Sequence, residues 1–220
     1  MSKSSPKPQV VLESPTWIIV NKRAGLITES NPFEDSLEDE VKSYLKHSDK
    51  EPYLGIVHRL DRVTSGLLIF AKKPSVLKVL NKMMEQKAIK KTYQALTRKP
   101  LPQKKGSAEH YIFKDQKTKS ALIGDQKKEG YKLARLSYKF ENAVDENLLY
   151  QIDLQTGRFH QIRAQFAFLG APIIGDIKYG GEPVKTNAPF PIICLHAHTL
   201  KFPENDLDLP QQVSVPAPFL

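Results

Sequence analysis

The sequence predicts an α+β fold: a single domain with a mainly antiparallel, mixed β-sheet flanked by helices and loops. Three observations lead there. Alternating apolar strands outnumber helical patterns, and they follow one another in hairpin-like succession. No repeat of roughly 20–50 residues and no convincing linker divides the 220-residue chain. The expected organisation is a disordered tail over residues 1–9 and one domain over residues 10–220.

The elements follow in order. Trp17-Ile18-Ile19-Val20 is a short apolar strand, and Asn21–Gly25 turns out of it. Ser36-Leu37-Glu38-Asp39 has the form of a capping box, followed by Leu37, Val41, Tyr44 and Leu45 at helical spacing. Gly66–Ala71 reads as a buried strand. Residues 75–90 form the clearest amphipathic helix, with Val76, Leu80, Met83 and Met84 on one stripe. Lys91–Thr97 alternates as a strand, with Tyr93, Ala95 and Thr97 on one face.

Residues 98–130 are Lys-rich and weakly apolar, which predicts short strands joined by long basic loops. Leu133, Leu136, Tyr138 and Phe140 predict a strand with one irregularity, such as a bulge. Leu148–Leu154 alternates cleanly. Thr156-Gly157 turns into a helix from Phe159 to Leu169, stopped by Gly170 and Pro172. Ile193–Leu200 is a further strand, and the tail after Pro203 is largely irregular.

Charge and composition narrow the function. Residues 71–140 carry 19 Lys and Arg against 5 Asp and Glu, a local excess of 14 within a net charge of +9. Interspersed signs would mean a merely solvated face; a contiguous basic third favours a polyanionic partner, nucleic acid before anionic membrane. No apolar run approaches the roughly 20 residues of a membrane span. One cysteine, Cys194, excludes an intrachain disulfide and suits a reducing cytosol, so the expected location is cytoplasmic.

Two motifs concentrate polar function. His58-Arg59-Leu60-Asp61-Arg62 sets one carboxylate between two guanidiniums just before a buried strand, and nearby guanidiniums favour its ionised form. A solvated surface ion pair would show the same letters. Gly157-Arg158-Phe159-His160-Gln161-Ile162-Arg163 opens the third predicted helix, placing Phe159 and Arg163, and also His160 and Arg163, on shared faces. Such a helix start suits a phosphate or carboxylate; an ordinary amphipathic helix is the alternative.

Cys194, His196 and His198 alternate on a strand, but same-face neighbours stand roughly 7 Å apart, too wide for three ligands of one zinc ion. No Gly-x-Ser-x-Gly elbow, P-loop or dinucleotide fingerprint is present, so no nucleotide cofactor or metal is implied. Tyr93 is a strand tyrosine among Lys87, Lys90 and Lys91, either core or a ring on which an RNA base stacks.

Taken in this order, the motifs resemble the RluA-type pseudouridine synthase family from about Trp17 to Tyr179. The residues carrying the resemblance are Val20-Asn21-Lys22 with Ala24-Gly25-Leu26, His58-Arg59-Leu60-Asp61 with Thr64-Ser65-Gly66-Leu67-Leu68, and Lys91-x-Tyr93 with Ala95-Leu96. To these are added Gly157–Arg163 and Gly175-Asp176 with Tyr179-Gly180. Arg23 stands where the family commonly has proline, Phe159 where it has threonine. Leu195-His196-Ala197 is not followed by the usual His-Pro and Thr-Gly.

The resemblance implies a pseudouridine synthase fold and an RNA uridine isomerase needing no cofactor. Its substrate would be a ribosomal or transfer RNA stem-loop. The essential aspartate maps onto Asp61, acting at the sugar as a nucleophile at C1′ or as the base of a glycal route. Arg163 would pair with Asp61 and orient it, Tyr93 would pack on the target uracil, and Arg59 would help occupy the space of the flipped nucleotide. His58, Arg62, Lys91, Arg158, His160 and Gln161 are the expected RNA contacts. The small N-terminal RNA-binding domain of many relatives finds no room before Trp17, and a monomer is expected. A non-catalytic RNA-binding protein on the same scaffold is the alternative, and a metal-dependent RNA hydrolase is a third reading.

Overall fold

The computed structural model describes residues 7–46, 51–186, 188 and 190–220. Among them the chain forms eleven strands and three α-helices, and every strand pair with a described register is antiparallel. The chain divides into two compact units that interleave along the sequence: Met1–Ile89 with Thr199–Val215, and Lys90–His198 with Pro216–Leu220. The expected tail lies partly outside the described residues, and its last residue, Gln9, already opens a strand.

In the first unit, β1 (Gln9–Glu13) pairs with β2 (Trp17–Lys22), and β2 pairs with β4 (Ser65–Ala71); the short β3 (Gly55–Ile56) joins the far end of β4. All seven residues of β4 are buried, which is why its sequence is a continuous apolar run instead of an alternation. Trp17, Ile19, Leu67 and Ile69 form one face and pack with Val76 and Leu80 of a helix. Leu200, Phe202, Leu209 and Val213 complete that cluster, and the Trp17 indole N–H donates to the Leu207 carbonyl at 2.7 Å. Helix α1 (Leu37–Leu45) starts where the capping box predicts, with the Asp39 amide donating to Ser36 Oγ at 3.0 Å.

Helix α2 (Pro74–Glu85) is shorter than the predicted 75–90. Its end is a Schellman motif: the Ala88 amide donates to the Met83 carbonyl and the Lys87 amide to Met84. The residue in the left-handed position is Lys87, at φ 55°, where glycine is usual, so the stop carries no glycine signal. The reversal returns Ile89 to the core.

In the second unit the strand order is β5-β9-β8-β6-β7, with β5 (Lys90–Thr97), β6 (Lys105–Asp115), β7 (Ser120–Gly124), β8 (Lys132–Val144) and β9 (Asn147–Leu154). The first half of β10 (Leu195–Lys201) lies beside β5; its second half pairs with β11 (Gln212–Ser214) in the first unit. The long basic loops expected over 98–130 are instead the eleven-residue β6 and its hairpin with β7. Ala108, His110 and Ile112 point inward between exposed or half-exposed neighbours, a strand alternation disguised by small and polar inward residues.

The irregularity in β8 is real but lies elsewhere, at a register shift between Phe140 and Asn142. Leu133 breaks the apparent period because it faces the other side, opposite Tyr111. Helix α3 (Gln161–Phe168) packs its Ala164 against Ile112, Ala121 and Ala134, whose small side chains let it approach closely. Tyr138, Tyr150 and Phe166 meet edge to face with ring centroids 6.1–6.2 Å apart.

A left-handed lysine carries steric strain that glycine does not. Lys87→Gly is therefore expected to raise stability by about 1 kcal/mol in urea unfolding; an unchanged or lower midpoint would contradict the strain assignment.

Candidate active site

The predicted residues gather in two places, one in each unit. In the first unit, His58–Arg62 forms the loop entering β4, closed by a turn in which the Thr64 amide donates to the Asp61 carbonyl at 3.0 Å. Leu60 anchors the loop in the core, Asp61 and His58 are half-buried, and Arg59 and Arg62 are exposed. The two guanidiniums that flank Asp61 in sequence turn to other carboxylates: Arg59 pairs with Glu29 and Arg62 with Glu34, both at 2.9 Å.

Lys22 in this unit feels the charge of Asp61. Its side chain is fully buried (0% exposed), and its ammonium donates to the carbonyls of Leu26 at 2.7 Å, Arg23 at 3.1 Å and Arg62 at 3.2 Å. Burial pulls its pKa down to about 7, the Asp61 charge opposes that shift, and Arg23 and Arg62 add to it. Lys22 closes the Val20-Asn21-Lys22 motif, and strand alternation places it on the face of Ile18 and Val20. Arg23, in the position of the family's proline, reaches Glu40 of α1 through two hydrogen bonds of 2.6 and 2.8 Å.

In the second unit Tyr93 is buried on β5 opposite Ile152, and the half-buried Lys91 has its pKa lowered by burial. The predicted helix beginning at Phe159 starts at Gln161 instead, because His160 adopts a left-handed conformation (φ 50°) and residues 158–160 form a turn. Phe159 and His160 therefore share no helical face with Arg163. Their rings stack on each other at 3.8 Å, with the Lys114 ammonium 4.8 Å from the Phe159 centroid. Gln161, expected to contact RNA, is 3% exposed and bound internally. Its Oε1 accepts from Thr156 Oγ1 and the Arg158 amide, and its Nε2 donates to the Arg135 carbonyl. It shapes the turn from within.

His160 Nδ1 hydrogen-bonds with the Tyr179 hydroxyl at 2.8 Å. Burial first, then Arg163, Lys178 and Lys114, push its pKa down to about 3 against the opposing charge of Asp176. The imidazole is neutral at physiological pH and does not attract phosphate as a cation. Arg158 remains exposed, with Nε donating to the Leu133 carbonyl.

Arg163 is 6% exposed and bound side-on to Asp176, itself 1% exposed: Nε to Oδ2 at 2.6 Å and Nη2 to Oδ1 at 2.8 Å. Its guanidinium also lies over the Tyr179 ring, 5.1 Å from the centroid. Asp176 belongs to a quoted motif, but only the buried arginine reveals its task. Gly175 beside it has φ 87°, and a Cβ there would run into the Ile192 carbonyl. Cys194 is buried with its pKa raised to about 11, and the His196 and His198 rings stand 6.5 Å apart. Among the described residues no group of three or more His, Cys, Asp or Glu side chains is placed to hold a metal, and no helix is long and apolar enough to cross a membrane.

The fold is that of the pseudouridine synthases. Two solved structures show it: human RNA pseudouridylate synthase domain containing 1 has a TM-score of 0.76 at 24% identity, covering 97% of this chain and 85% of that one. Human RNA pseudouridylate synthase domain containing 4 has a TM-score of 0.77 at 21% identity, covering 96% and 88%. The family model for RNA pseudouridylate synthase matches residues 16–168, a span that contains Asp61, Tyr93 and Arg163, and the chain belongs to that family. An uncharacterized RNA pseudouridine synthase of Haemophilus influenzae is 33% identical over 204 residues, 88% of this chain and 81% of the relative. The ribosomal large subunit pseudouridine synthase C of Rickettsia felis is 32% identical over 201 residues, 91% of this chain. This chain covers only 64% of that relative's length.

Two outcomes follow from the buried charges. Asp176→Ala leaves Arg163 buried without its carboxylate and is expected to cost about 3–5 kcal/mol in urea unfolding; a loss below about 1 kcal/mol would contradict the pairing. Folding lowers the Lys22 pKa, so between about pH 7 and the ordinary lysine value of 10.5 the unfolded chain holds the proton that the folded chain has released. This group makes stability rise with pH across that window. The difference in unfolding free energy between wild type and Lys22→Met should grow in the same sense; a flat difference would show that Lys22 does not titrate there.

Proposed function

We propose that the protein isomerises uridines in RNA to pseudouridine, with Asp61 as the catalytic carboxylate. The observation that carries this reading is the placement of Asp61 on an internally braced loop, within the span matched by the family model. The C1′–N1 bond of the uridine breaks, the uracil turns, a C1′–C5 bond forms, and the C5 proton is lost as N1 gains one. No electrons enter or leave. Asp61 serves at the sugar, as a nucleophile at C1′ or as the base of a glycal route, and both roles require its ionised form. The reacting atoms are inaccessible in a stacked helix, so the nucleotide must be extruded.

Tyr93 and Arg163 are the proposed supporting residues of the second unit. Tyr93 presents a ring from a well-packed strand, and Arg163 is oriented by Asp176 and Tyr179. Arg59, exposed two residues before Asp61, is proposed to fill the space left by the flipped base. Lys91, Arg158, Arg62 and His58 are proposed RNA contacts, with the lysines of β6–β8 gripping phosphates in a salt-dependent manner. The names of the Rickettsia relatives make large-subunit ribosomal RNA the favoured substrate. A cytoplasmic location is in keeping with the single buried, free cysteine, and a monomer is the proposed state.

Incubation with uridine-containing ribosomal RNA transcripts should yield pseudouridine. Asp61→Asn should lower the rate by more than about a thousandfold while RNA affinity stays within about twofold, as measured by tritium release from C5 and by filter binding. Undiminished turnover by the variant would remove Asp61 from the chemistry. Absence of product with any RNA would favour the non-catalytic binding protein.

A further inference from the structure

In the first unit the two peptides that flank Asp61 are held by side chains and backbone of a single remote segment, residues 22–28. On the N-terminal side, the Thr28 hydroxyl donates to the Leu60 carbonyl at 3.1 Å and accepts from the Leu60 amide at 3.2 Å. One hydroxyl thus satisfies both backbone groups of one residue, doing through a side chain what a neighbouring strand does through its backbone. Thr28 is 4% exposed, so water does not compete for these bonds.

On the C-terminal side, the Arg62 carbonyl accepts from the Gly25 amide at 2.8 Å and from Lys22 Nζ at 3.2 Å, while Arg62 Nε donates to the Gly25 carbonyl at 3.0 Å. The bracing segment is itself anchored. The Leu37 amide donates to the Ile27 carbonyl and the Glu38 amide to the Thr28 carbonyl, which fixes Thr28 against the first turn of α1.

We propose that Thr28 is a positioning residue for the isomerisation, its hydroxyl clamping Leu60 so that the Asp61 carboxylate is held in its working orientation. The proposal rests on Asp61 being the catalytic carboxylate. Thr28 does not touch the substrate; it acts through the Leu60 peptide. Loss of the hydroxyl leaves a buried amide and carbonyl unsatisfied and lets the loop rotate. Displacements of about 1 Å at a reacting group reduce rates by up to about a hundredfold.

The test compares Thr28→Val, which keeps the shape and removes the hydroxyl, with Thr28→Ser, which keeps the hydroxyl. Single-turnover rates and RNA affinities are measured on a ribosomal RNA transcript, with Asp61→Asn in parallel. The expected result is a rate loss of roughly ten- to a hundredfold for Thr28→Val with affinity within about twofold, and recovery to near the wild-type rate in Thr28→Ser. A lowered melting temperature with an unchanged rate in Thr28→Val would reduce the residue to a structural role and overturn the proposal. So would a Thr28→Ser variant as slow as Thr28→Val. If Asp61→Asn is inactive while Thr28→Val is fully active, the positioning role alone fails; if Asp61→Asn is active, the catalytic assignment fails first. Native-state hydrogen exchange of the wild type reads the clamp without any variant. The Leu60 amide, although in a loop, should be protected to the level of the β4 amides, and fast exchange there would overturn the clamp.

Discussion

A buried ammonium organises the first unit around Asp61. Taking a lysine out of water costs several kcal/mol, and only well-placed acceptors offset that cost. Lys22 has three, and they come from two segments distant in sequence: Arg23 and Leu26 in its own turn, and Arg62 in the loop entering β4. The turn after β2 and the Asp61 loop must therefore come to the same place for the strand to end as it does. The Asp61 charge in turn favours the protonated form of Lys22, while the exposed Arg59 and Arg62 remain paired with glutamates.

The second unit solves a similar problem with a complete ion pair. Arg163 on α3 is bound side-on by Asp176, and the residues that shape the Asp176 turn are glycines. Gly175 lies against the Ile192 backbone, and a Cβ at Gly181 would strike the Ile173 carbonyl. The Tyr179 ring lies under the guanidinium, and its hydroxyl accepts from the Ala121 amide of β7 at 2.7 Å. Arginine, tyrosine and the neutral His160 thus form one connected group whose charge is confined to the guanidinium.

The parts of this arrangement visible in the sequence are those with local causes. The Ser36 cap, the apolar run of β4 and the alternation of β9 each follow from neighbouring residues. The end of α2 did not, because Lys87 occupies a position where only glycine would have announced the turn. The strand β6 was hidden because its inward residues include Ala108 and His110 while Tyr111 and Phe113 lie among its outward ones. For the site, Asp61, Tyr93, Arg163, Lys22 and Asp176 stand in recognisable motifs, but Lys22, Thr28 and Asp176 draw their roles from partners 13 to 40 residues away. A spacing rule reads neighbours along the chain, and these contacts are made across it.

The interleaving of the units bears on how the protein is made. Residues 90–198 form one uninterrupted stretch of the second unit, so its five-stranded sheet has all its strands once that stretch has left the ribosome. The first unit begins earlier and draws on residues 199–215, which follow that stretch. Its core cluster includes Leu200, Phe202, Leu209, Val213 and Val215, all of which follow that stretch. Until they arrive, the faces of β2 and β4 that carry Trp17, Ile19, Leu67 and Ile69 lack their cover. The unit that bears Asp61 thus closes only after the five strands of the other have been made, and a chain halted before Leu200 carries the loop without the later part of its core.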